Sequence, residues 1–151
     1  MITYTSLIKA CGISGAEGAV ELAEEIFSAM QQRTNHFSTY IEPTMLTFQR
    51  LIQVHLRAGA TLDDTKRVWE LWRDLLSRGL KPGMTICRSC VRAAKLEGDA
   101  SKALDYIDYI RKNTLAKFDF RSWLMAMQLC AATGHFEEER ILREEIEAKT
   151  R

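Results

Sequence analysis

Four glycines divide the chain at near-regular intervals. They stand at Ser14-Gly15, Ala58-Gly59, Glu97-Gly98 and Thr133-Gly134, separated by 44, 39 and 36 residues. The stretches before them correspond in register. Ile2-Thr3-Tyr4-Thr5-Ser6-Leu7-Ile8 aligns with Leu46-Thr47-Phe48-Gln49-Arg50-Leu51-Ile52. Thr85-Ile86-Cys87-Arg88-Ser89-Cys90-Val91 and Arg121-Ser122-Trp123-Leu124-Met125-Ala126-Met127 continue the series. A second stretch after each glycine repeats as Ala23 to Met30, Val68 to Leu75 and Ala103 to Ile110, with a weaker, polar copy over Glu139 to Ile146. Apolar residues within these stretches recur every three or four positions, the spacing of one helix face. No stretch alternates as a strand does, and no Asn-Gly or Asp-Gly hairpin turn is present. Two helices per unit, at a period in the thirties to forties, predict an α-solenoid. The repeats fall at about 1–44, 45–83, 84–119 and 120–151, and the whole of 1–151 reads as one array.

Composition narrows the alternatives. With 46% apolar residues and a net charge of +1, the chain carries enough core for a folded domain. No run of 18 apolar residues is present, so no transmembrane helix is predicted. Four cysteines, Cys11, Cys87, Cys90 and Cys130, lie within apolar stretches and read as reduced core thiols of an intracellular protein. Met1 to Thr5 reads as the start of a folded element and lacks the features of a signal peptide.

Several segments resemble the pentatricopeptide repeat family. Ile2-Thr3-Tyr4-Thr5-Ser6-Leu7-Ile8-Lys9-Ala10-Cys11 is similar to that family's first helix, and Ala103-Leu104-Asp105-Tyr106-Ile107 to its second. Arg78-Gly79-Leu80-Lys81-Pro82-Gly83 resembles its link into the next unit, with Ile41-Glu42-Pro43-Thr44 a looser version. The resemblance spans nearly the whole chain and is strongest in the first three units. It implies a right-handed all-α solenoid of about four helix-turn-helix repeats. It also implies that the first helix of each unit lines an RNA-binding surface, where a pair of side chains selects one base. The corresponding pairs here are Thr5 with Thr44, Gln49 with Gly83, and Arg88 with Asp119. Gly83 has no side chain to offer a base, and Arg88 brings charge where the family favours Asn, Ser or Thr. Four units read at most about four bases. Backbone contact, or a place within a larger ribonucleoprotein, is therefore the expectation.

The net charge of +1 is unevenly distributed. The four units carry −3, +3, +2 and −1. Arg88, Arg92 and Lys95 recur at i, i+4, i+7 on one helix face, and Lys9, Arg50 and Arg57 occupy first helices of earlier units. These six residues are candidates for phosphate contact, which is sequence-independent and salt-sensitive. Phe37 and Tyr40, in the long stretch from Gln31 to Pro43, and Trp69 are candidates for a partner contact. Trp72 and Trp123 align with apolar positions and are expected in the core.

Other chemistry finds little support. Cys87-x-x-Cys90 lacks a second ligand pair, and both cysteines align with packing positions, so no metal is predicted. No nucleophile–histidine–acid set, phosphate-binding glycine loop or dinucleotide glycine pattern is present. Neither catalysis nor a cofactor or small-molecule substrate is expected. The expected partners are single-stranded or ribosomal RNA and proteins of a ribonucleoprotein. The location implied by the resemblance is mitochondrial or another organelle. The alternative is a protein–protein scaffold without RNA contact.

Overall fold

The computed structural model describes residues 3–36, 42–57 and 59–151. Among them lie eight helices and no strand: α1 (Tyr4–Ser14), α2 (Ala19–His36), α3 (Met45–His55), α4 (Leu62–Ser77), α5 (Met84–Glu97), α6 (Ala100–Asn113), α7 (Phe120–Ala132) and α8 (Phe136–Thr150). The helix starts follow from local polar chemistry. Thr44 and Thr61 begin α3 and α4 with reciprocal capping bonds to Thr47 and Asp64. Asp99 and Asp119 begin α6 and α7 by accepting the amides of Lys102 and Ser122. Each such bond satisfies an amide that the first helical turn leaves unpaired. At the other end of α5, Gly98 takes φ = 81°, a left-handed conformation that disfavours a side chain. Its amide and that of Asp99 close back on the Ala94 carbonyl, and the chain reverses into α6.

One element is longer than its sequence pattern suggests. The stretch after Met30 reads as a link, yet α2 continues to His36. Its apolar face ends near Met30, but no glycine or proline interrupts the chain before Pro43, so backbone hydrogen bonding carries the helix on.

The chain divides into two compact units, Met1–Pro82 and Gly83–Arg151, at the junction of the second and third repeats. In the first, α1 packs on α2 and α3, while α3 also contacts α2 and α4. The second repeats this arrangement with α5, α6, α7 and α8. The first unit's core joins Ile8, Ala23, Phe27, Phe48, Leu51, Leu71 and Leu75. Phe27 meets Phe48 edge-on, with centroids 5.5 Å apart. The second buries Cys87, Cys90, Tyr106, Ile107, Ile110, Trp123 and Leu142. Trp123 is fully enclosed and its indole N–H donates to Glu145 Oε2 at 3.1 Å. The buried indole thus keeps a partner for its polar group. Trp72 is buried as well.

Candidate nucleic-acid interface

Four of the six basic candidates, Lys9, Arg50, Arg88 and Arg92, line two grooves, one in each unit. Between α5 and α7 lies a groove of ≈ 400 Å³ lined by Arg88, Ser89, Arg92, Arg121, Leu124 and Met125. Arg88, Ser89 and Arg92 come from one face of α5. Arg121, Leu124 and Met125 share a face of α7 through their i, i+3, i+4 spacing. Between α1 and α3 lies a smaller groove of ≈ 200 Å³, lined by Lys9, Gly12, Ile13, Arg50, Gln53 and Val54. Arg50 donates to Gln53 Oε1 at 3.2 Å, a neutral partner that leaves its charge in place.

The charges of the larger groove are not equivalent. Arg88 grips Asp119 through two parallel bonds, Nε to Oδ2 at 3.0 Å and Nη2 to Oδ1 at 2.6 Å. Asp119 Oδ2 also accepts the amide and the hydroxyl of Ser122. The Arg88 bond, with those from Ser122, overcomes partial burial and holds the Asp119 carboxyl at about 2. Arg92 and Arg121 are exposed and form no ion pair with a described residue. Lys95, farther along α5, donates to Gln128 Oε1 at 2.8 Å and likewise keeps its charge.

Arg57 belongs elsewhere. Sequence periodicity places it with the basic face, but its guanidinium turns to Asp64 Oδ2 at 3.2 Å and to the His55 carbonyl. The cause is a buried polar network. His55 is only 4% exposed. Its ring bridges Asp64 Oδ1 at 2.8 Å and Glu24 Oε1 at 2.7 Å. Arg67 grips Glu24 from the other side with both Nε and Nη2. Burial would raise the Glu24 carboxyl, yet the bonds from His55 and Arg67 outweigh it and hold it at about 2. A buried carboxylate needs such partners, and Arg57 serves Asp64 in that way.

The other positions expected to select a base are also partly committed. Thr5 Oγ1 and Thr44 Oγ1 both hydrogen-bond Thr47 Oγ1, at 2.9 and 3.2 Å. Gln49 is half-buried on α3, and Gly83 caps α5 without a side-chain bond. Trp69 lies partly exposed on α4, while Phe37 and Tyr40 fall outside the described residues. Cys87 and Cys90 are fully buried. Burial pushes the Cys87 thiol up to about 12 and raises Cys90 well above its ordinary value. Both thiols are packed into the core of the second unit.

Periodicity within α5 alone missed Arg121. The signal that finds it is its i, i+3, i+4 register with Leu124 and Met125 at the start of α7.

Residues 1–56 match the family model of the pentatricopeptide repeat domain. The fold matches the crystal structure of the pentatricopeptide repeat domain of Arabidopsis thaliana protein-only RNase P 1, solved in complex with tRNA, with a TM-score of 0.77. That match covers 98% of this chain and 71% of the other at 13% identity. The family match covers the first 56 residues, and over the rest of the chain the likeness is one of fold. No curated protein matches its sequence. Helices α1, α3, α5 and α7 are the first helices of four successive helix pairs. Each groove lies between two successive first helices of one unit.

Proposed function

We propose that the protein binds single-stranded RNA along the first helices of its repeats, mainly through phosphate contacts, as part of an organellar ribonucleoprotein. The observation that carries this reading is the groove between α5 and α7. Arg92 and Arg121 face it without an acidic partner among the described residues, and the Leu124 and Met125 side chains supply an apolar wall. Exposed arginines attract phosphates, and an apolar wall accommodates an unstacked base. The similar fold of the plant RNase P protein was captured with tRNA, which supports an RNA partner. The organellar setting rests on the family resemblance.

Replacing both free arginines tests the reading. Arg92→Glu with Arg121→Glu should reduce affinity for a short single-stranded RNA at low salt by at least tenfold, measured by fluorescence anisotropy. Both sites are exposed, so the circular dichroism spectrum should not change. Unaltered binding would move the RNA site elsewhere. If the unmodified protein also failed to bind RNA, the protein–protein scaffold would be the better account.

A further inference from the structure

Arg88 and Asp119 form a neutral pair that keeps directional donors. A guanidinium carries five N–H groups in a planar fork. Asp119 takes the Nε–H and one Nη2–H, which leaves the outer edge of the fork, Nη1 and the second Nη2–H, without a partner among the described residues. That side chain is 39% exposed and lines the groove, whereas the Asp119 side chain is 11% exposed. The carboxylate is anchored in turn by Ser122 at the start of α7. Arg88 is thus fixed in place while its positive charge is cancelled. Two parallel donors on a rigid plane match the O6 and N7 acceptors of guanine. Single-stranded RNA exposes that base edge. Phosphate is a weaker competitor for Arg88 because the pair has no net charge. Arg92 and Arg121, in the same groove, keep theirs.

Building on the RNA-binding reading, we propose that this groove selects one guanine, read by the outer edge of Arg88. Asp119 positions Arg88, Arg92 and Arg121 hold the flanking phosphates, and Leu124 and Met125 form the wall against which the base lies.

The full chain is titrated with fluorescent oligouridine carrying one central guanosine, adenosine or 7-deazaguanosine, the last of which lacks N7. Guanosine should bind roughly tenfold tighter than adenosine, and 7-deazaguanosine should lose most of that gain. Arg88→Lys, which cannot form the fork, should abolish the preference. Asp119→Asn keeps a capping side chain for α7. It should reduce the guanine preference and raise affinity for plain oligouridine, with a salt slope steeper by roughly 0.7, because Arg88 regains its charge. A purely structural role for Asp119 would not produce these opposite changes. Equal, salt-sensitive affinity for all three oligonucleotides would overturn the guanine proposal while leaving phosphate binding intact. No binding to any of them at low salt would overturn the RNA-binding reading, and the guanine proposal with it.

Discussion

His55 lies between two carboxylates supplied by other helices. Glu24 comes from α2 and Asp64 from α4, so the ring on α3 joins three helices of the first unit. The folded-state value of Glu24 is about 2, below its ordinary 4.5. Folding therefore favours its charged form. That contribution is complete above about pH 4.5 and is lost as the pH falls toward about 2. Acid titration of thermal stability should show a loss on the order of 2 kcal/mol across this window. The loss should be smaller by about that amount in Glu24→Gln, with the remainder set by Asp119 and Asp64, and the variant should be less stable at neutral pH by about 3 kcal/mol because Arg67 loses its partner. A parallel acid response in the variant would place the titration elsewhere. Sequence reading did not find this network. Its members lie 31 and 43 positions apart, and no helical periodicity relates such residues. Arg57 was misplaced for the same reason, since it falls in the turn just past α3 and its partner lies on the following helix.

The helices were far more legible. Their starts depend on one to four neighbouring residues, as in Thr61 with Asp64, and their ends on single glycines. Gly98 provides a direct test. Its φ of 81° should make Gly98→Ala destabilising by about 1–2 kcal/mol. Thermal unfolding should fall by roughly 5 °C, although open space surrounds the added methyl group. An unchanged melting temperature would show that the turn relaxes out of the left-handed region. Two elements were less clear from sequence. The end of α2 has no punctuating residue, and the last helix has little apolar periodicity. The polar face of α8 is instead tied by Arg140 to Glu137 and Glu144 and by Arg143 to Glu139. Such pairs support a helix without burying it. Arg111 reaches from α6 to Glu145 of α8, and the same carboxylate accepts Trp123 of α7.

Across the whole chain, the repeat pattern and the fold agree, and the sum of +1 conceals the local charge that matters. Repeats two and three are basic, while the flanking repeats are acidic. Within the second compact unit, Asp119 neutralises Arg88, and the charge available to a phosphate rests with Arg92 and Arg121. The central claim is that these two arginines contact RNA phosphates. The most direct test is the dependence of RNA affinity on salt concentration for the full chain and for Arg92→Glu with Arg121→Glu. Each lost contact to a single strand should flatten the slope of log affinity against log salt by roughly 0.7, so the double variant should lose roughly 1.4. Equal slopes for the two proteins would contradict the claim.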